Sequence, residues 1–160
     1  SMASASRSLA EAFGATLIEQ ASGAAPHPCL QQITSRSSGG ALEPSLLRVS
    51  GDVAVDDCRE GSWLEALACW HVAVLMLAEP RKDGRFAGIV PASVALARSL
   101  QVELLGLVQL GGSWSRSARR ADGLPWCGCL QGPDDVLCGL ISCLRSRWAQ
   151  VAREEGPDRA

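Results

Sequence analysis

The pattern that most constrains the fold lies near the end of the chain. Pro133 suits the first turn of a helix, Asp134 and Asp135 follow it at the positive helix end, and Gly156-Pro157 ends the pattern. The sequence therefore predicts an amphipathic helix over 133–155, whose apolar face packs against a sheet. Seven apolar side chains share that face at helical spacing: Val136, Leu137, Leu140, Ile141, Leu144, Trp148 and Val151.

A second helical pattern lies near the start of the chain. Residues 6–22 place Leu9, Phe13, Leu17 and Ile18 on one stripe, with a capping-box pattern at Ser8-x-x-Glu11 and a stop at Gly23. We predict a helix over 6–22, preceded at residues 1–2 by what looks like a tag scar and an initiator methionine.

The next segment, residues 23–45, has no periodicity and is rich in proline, serine and glycine, which is typical of a flexible connector. The prediction is then one compact domain over 46–155.

Short elements fill the middle of that domain. A second capping box at Ser62-x-x-Glu65 opens a helical turn, and residues 71–77 form a buried strand unless one buried helix covers 62–78. The turn at 80–84 suggests a hairpin with a strand over 85–90. The remaining predictions are strands over 46–49, 53–55, 102–110 and 124–130 and a helix over 91–101.

The element order indicates an α+β fold with a small mixed or antiparallel sheet, packed with the amphipathic helices at both ends of the chain. The same order is similar to that of a five-stranded barrel of the oligonucleotide-binding (OB) type, which has a helix between its third and fourth strands. No motif assigns the chain to a family.

Composition excludes several classes of protein. Of the 160 residues, 47% are apolar and 20% charged, which excludes wholesale disorder, and a net charge of −2 gives no global attraction to nucleic acid or acidic membranes. The longest apolar run, 63–78, is short for a bilayer span and contains Glu65 and His71. Seven cysteines without a visible secretory signal predict free thiols and an intracellular location, cytoplasmic or nuclear.

The cysteines do not form a convincing zinc motif. Cys127-x-Cys129 is tighter than a zinc knuckle, and Cys138 and Cys143 diverge on the predicted final helix by about 140°. We predict that these thiols line the contact between the final helix and the sheet. We also predict that the protein binds neither a metal nor a cofactor.

Cys69 and His71 are a cysteine–histidine pair two residues apart in the sequence. On a strand the two would share a face, as a thiolate–imidazole pair requires. Their apolar surroundings favour instead a buried, inert thiol and a core histidine.

One polar segment carries residue types suited to recognition. Residues 113–123 form a predicted loop that holds Trp114, Arg116, Arg119 and Arg120. Tryptophan and arginine are enriched at protein–protein hot spots, and the same types can stack on bases and neutralise phosphates. The alternative is a solvated loop whose arginines pair with Asp122 or with the acidic chain ends.

These observations favour a non-catalytic protein-interaction module, a small subunit or adaptor of a larger complex. Residues 113–123 would hold its partner-binding site, and the partner would be a protein. Two alternatives remain open at this point. The first is an OB-like binder of single-stranded nucleic acid, or an accessory subunit of one. The second is a thiol-dependent enzyme that uses Cys69 or the pair Cys127 and Cys129.

Overall fold

The computed structural model describes residues 1–36, 44–55, 61–130 and 134–154. The chain divides into two compact units, Ser1–Val72 and Ala73–Ala160. Within the described residues, no helix combines the length and the apolar character needed to cross a membrane.

The first unit is built around two parallel strands with a helical connection between them. Strands β1 and β2 pair in register from Thr16 opposite Ser45 to Ala21 opposite Ser50, and Glu19 and Arg48, which face each other in that register, form an ion pair of 3.3 Å. The elements follow in the order α1 (Met2–Phe13), β1 (Thr16–Ala21), α2 (Pro26–Arg36), β2 (Ser45–Ser50) and α3 (Trp63–Cys69).

Helix α1 ends much earlier than its apolar pattern suggests. Gly14 adopts the left-handed conformation, with φ of 63°, and its N–H caps the carbonyls of Ala10 and Glu11. This glycine stops the helix, so Leu17 and Ile18 belong to β1. The predicted helix over 6–22 is therefore wrong beyond Phe13, and the segment predicted as a connector contains α2.

Helix α3 begins as the sequence predicts. The Ser62 hydroxyl accepts from the Glu65 N–H, and the Glu65 carboxylate accepts from the Ser62 N–H at 2.7 Å. The Ser62 hydroxyl also donates to that carboxylate at 2.7 Å, and the hydrogen bonds from the Ser62 N–H and hydroxyl hold the pKa of Glu65 below its usual range. The predicted capping box is confirmed.

Trp63, the first residue of α3, joins that helix to the end of β1. Its indole is 1% exposed, and its N–H donates to the carbonyls of Ser22 and Ala24 at 3.0 and 3.1 Å.

The strand predicted over 53–55 is absent: this described segment is a turn, and the Val53 carbonyl accepts from the N–H of Leu64.

The second unit is a three-stranded parallel sheet in the order β3-β4-β5, with β4 at its centre. All of β4 from Gly106 to Leu110 is buried, which explains why this strand reads as a continuous apolar run. The elements are β3 (Val74–Ala78), α4 (Ile89–Ser99), β4 (Leu104–Leu110), α5 (Arg116–Ala121), β5 (Trp126–Leu130) and α6 (Asp134–Glu154).

The α+β class is confirmed, but the predicted sheet arrangement is wrong. Both sheets are parallel, not mixed or antiparallel, and the described strands form no closed barrel of the OB type. The error has a local cause at residues 85–90. This segment forms no hairpin strand but leads into α4, which begins at Ile89 and connects two parallel strands.

The final helix is confirmed over Asp134–Glu154. Its residues Leu140 and Leu144 are each 1% exposed, and the helix packs mainly on β5. Pro133, predicted to open the helix, lies outside the described residues.

Candidate partner-binding surface

The segment predicted as a polar loop contains a short helix. Ser115 caps α5, its hydroxyl accepting from the N–H of Ala118 at 3.3 Å. No residue of α5 is fully buried. The helix nevertheless divides the predicted site residues into two groups with different environments.

Arg119 belongs to the first group and points into the protein. Its side chain is only 11% exposed. The guanidinium carbon lies 4.5 Å from the ring centre of Phe86 and 5.4 Å from that of Trp126, both within cation–π range. One terminal nitrogen donates to the Gly84 carbonyl at 3.0 Å. These contacts fix Arg119 as part of the fold.

Asp122 ties the same cluster together. Its carboxylate pairs with Arg119 at 3.1 Å and accepts from the Trp126 indole N–H at 2.9 and 3.0 Å. It also accepts from the backbone N–H of Leu124 at 3.0 Å. The interpretation of residues 113–123 as a solvated loop predicted that an arginine pairs with Asp122, and Arg119 forms this pair. The Arg119 side chain is nevertheless largely buried.

Trp114 also contacts this cluster. Its ring meets Trp126 edge-on, with centres 6.3 Å apart and an interplanar angle of 77°, and the residue is half-buried. Phe86 packs against the same indole at 4.6 Å. We call the group Phe86, Trp114, Arg119, Asp122 and Trp126 the aromatic–arginine cluster. Sequence reasoning missed Phe86 and Trp126, because no local signal connects them to α5.

Arg116 and Arg120 form the second group. They lie four residues apart on α5, so their side chains share one face of the helix, and both are exposed. Among the described contacts, neither has an ion-pair or hydrogen-bond partner for its guanidinium. We call this pair the α5 arginine stripe.

A shallow open groove of about 290 Å³ lies beside α5. Its walls are mostly apolar, and Ile89, at the start of α4 near the groove residue Pro91, is 69% exposed. The lining residues are Arg85, Phe86, Pro91, Ala118, Arg119, Asp122 and Leu124.

The described cysteines are free thiols: Cys29, Cys69, Cys127, Cys129 and Cys143. Burial raises the pKa of Cys29 and Cys129, and it raises the pKa of Cys127 to about 12. Within the described ranges, no three histidine, cysteine or acidic side chains come together as a metal site would require. The side chain of Cys138 lies outside this description.

The predicted environment of Cys69 and His71 is wrong. Cys69 is the last residue of α3 and is exposed, and His71 follows it, exposed, with φ of 51°. They do not lie on one strand, because β3 begins only at Val74. His71 is therefore not a core histidine.

Gln109 is a buried polar residue that the sequence analysis did not single out. It is fully buried on β4, and its amide nitrogen donates to the carbonyls of Gly111 and Ser113 at 2.8 and 3.2 Å. These bonds fix the chain as it leaves the sheet toward Trp114 and α5. Gln109 could have been identified from the sequence, because it is a polar residue in an otherwise apolar run.

Replacing Arg119 should destabilise the protein, whereas replacing Arg116 should not. Arg119→Ala removes a guanidinium packed against two rings and leaves Asp122 without its cation, so we expect a loss of about 1–3 kcal/mol in urea denaturation. Arg116→Ala removes an exposed side chain and should change stability by less than about 0.5 kcal/mol. Equal effects for the two variants would contradict the buried position of Arg119.

No protein-family model matches the chain, and no curated protein matches it at a significant level.

Proposed function

We propose that the chain is a non-catalytic protein-interaction module that binds a protein partner through the α5 arginine stripe and the adjoining groove. The observation that carries the proposal is the contrast within α5. Arg119 anchors the helix to the aromatic–arginine cluster, while Arg116 and Arg120 remain exposed on the same short helix. A fixed support lowers the entropy lost when exposed side chains bind a partner.

The groove beside the helix supports a protein partner. The mostly apolar groove lies next to exposed charged side chains. Protein interfaces have a similar composition, with an apolar core and a polar rim. Charge complementarity favours an acidic partner surface. Residues 73–160 carry eleven basic side chains against nine acidic ones, whereas residues 1–72 carry four against eight.

The two alternatives receive less support. Single-strand binding needs an aromatic face on which bases can stack, and Trp114 is half-buried against Trp126. Thiol chemistry at Cys127 and Cys129 needs the thiolate form, which burial disfavours at both residues. Among the described cysteines, Cys69 is the exposed one that this hypothesis could use.

Quantitative co-purification from native extract tests the proposal. The bait is the full chain, compared with Arg116→Ala/Arg120→Ala and with a matched control, Arg81→Ala/Lys82→Ala, which also removes two exposed positive charges from the second unit. We expect one set of proteins to be retained by the wild type and the control and to be lost from the stripe variant.

Two results would contradict the proposal. One is full retention of that set by the stripe variant. The other is loss of all co-purifying protein, from the wild type as well, after nuclease treatment of the extract, because the partner would then be nucleic acid. In that case the logarithm of the binding constant should also fall with the logarithm of the salt concentration. The slope should be about −0.7 for each phosphate contacted on a single strand.

A further inference from the structure

Two thiols lie at the contact between β5 and α6. Leu140, Cys143, Leu144 and Arg147 share one face of α6, because they are spaced three and four residues apart. Leu140 lies against Gly128, about 3.2 Å from the position that a Cβ atom would take there. Further along the helix, Arg147 donates to the carbonyl of Trp126 at 3.3 Å. Cys143 therefore comes between these two anchoring contacts, opposite Cys127.

The strand is irregular at this position. Leu107 pairs with Trp126 but Val108 pairs with Gly128, so Cys127 is the extra residue of a bulge. Its thiol donates to the Leu105 carbonyl at 3.7 Å, and that carbonyl also accepts from Arg147 at 2.7 Å. The thiol and the guanidinium thus meet at one backbone carbonyl.

The two thiols also interact: besides burial, which has the largest effect, the Cys143 side chain raises the pKa of Cys127 through its charge and a hydrogen bond. Burial raises the pKa of Cys127 to about 12, and the Arg147 guanidinium opposes this rise. Cys127 is therefore protonated at neutral pH, beside a cation that would stabilise its thiolate if the proton left.

We propose that Cys127 and Cys143 form an oxidative modification site, at which a small disulfide such as glutathione disulfide converts the two thiols to a disulfide that clamps α6 to β5. A disulfide bond is about 2.05 Å long. The two thiols, which already interact across the contact between β5 and α6, need to approach until their sulfurs reach this distance.

The reaction proceeds in two exchange steps. The Cys143 thiolate attacks one sulfur of glutathione disulfide, forming a mixed disulfide and releasing one glutathione thiolate. Cys127 then loses its proton to a released glutathione thiolate and attacks the Cys143 sulfur of the mixed disulfide, releasing the second glutathione. The two cysteines are oxidised, one glutathione disulfide is reduced to two glutathiones, and Arg147 stabilises the thiolate that forms at Cys127.

Mass spectrometry of the full chain tests the proposal. The protein is equilibrated in glutathione buffers of increasing oxidised fraction, blocked with iodoacetamide and digested. Trypsin alone leaves Cys127, Cys129, Cys138 and Cys143 in one peptide, 121–145, so cleavage before Asp134 and Asp135 is added to separate the strand cysteines from the helix cysteines. We expect a reversible link between Cys127 and Cys143.

Single substitutions identify the pair. Cys129→Ser should leave the link intact. Cys127→Ser should abolish it and leave a glutathione adduct on Cys143, because the resolving thiol is missing. A link that survives Cys127→Ser, or wild-type protein in which both thiols stay open to alkylation while Cys69 is oxidised, would overturn the proposal.

The melting temperature gives a second readout. Closing the chain between residues 127 and 143 restricts the unfolded state, so the oxidised wild type should melt about 5 °C or more above the reduced protein. Cys143→Ser should show no such rise. An unchanged or lower melting temperature on formation of the link would show that it strains the fold instead of clamping it.

Discussion

Trp63→Ala should lower the free energy of unfolding by about 3–5 kcal/mol, as truncation of a buried aromatic side chain does. Trp63 is 1% exposed, and it is among the largest fully buried side chains of the described residues. Its loss leaves a cavity and two carbonyls, those of Ser22 and Ala24, without their donor. Urea denaturation followed by circular dichroism measures the change.

Trp63→Phe separates the two contributions. Phenylalanine keeps an apolar ring in the site but cannot donate to the two carbonyls, so this variant should lose less than Trp63→Ala while remaining less stable than the wild type. If Trp63→Ala costs under about 1 kcal/mol, the connection between α3 and the end of β1 is not part of the stable core.

Leu144→Ala should cost about 2–5 kcal/mol, because Leu144 is 1% exposed on the face of α6 that packs on the sheet. The matched control is Ser142→Ala, an exposed position on the same helix, which should change stability by less than about 0.5 kcal/mol. Urea denaturation of both variants gives the comparison. A loss at Leu144 below about 0.5 kcal/mol would show that this face is exposed and available to a partner.

The elements predicted correctly are those whose signals are local. A long amphipathic stripe predicted α6, and serine with glutamate at the capping spacing predicted the start of α3. The helix over 6–22 failed for a local reason too. The spacing of Leu9, Phe13 and Leu17 continues a helical pattern across Gly14, although the conformation of that glycine ends the helix.

Sheet direction could not be predicted in the same way. Whether two strands pair in parallel depends on the segment between them, and two of these segments were interpreted wrongly. Residues 23–45 had no apolar period and yet contain α2, and the turn at 80–84 resembled a hairpin although it precedes α4. Short strands buried on both faces also lack the alternation that marks one exposed face.

The contacts within the candidate site could be predicted only in part. Sequence composition pointed to the segment that holds α5, but it grouped Trp114 and Arg119 with the exposed arginines. Arg119 is instead held by Phe86 and Trp126, of which Phe86 lies far away along the chain. A contact between residues so distant in sequence leaves no local pattern, so the division of α5 into an anchoring side and an exposed side needed the structure.

The affinity of the retained partner for the wild-type chain and for Arg116→Ala/Arg120→Ala tests the central claim most directly. If the α5 arginine stripe is the contact surface, the Kd should rise about tenfold or more, which corresponds to at least about 1.4 kcal/mol, while the melting temperature stays within about 2 °C of the wild type. The control Arg81→Ala/Lys82→Ala should bind like the wild type. Equal affinities of the stripe variant and the wild type, at unchanged stability, would contradict the account and place the partner elsewhere on the protein.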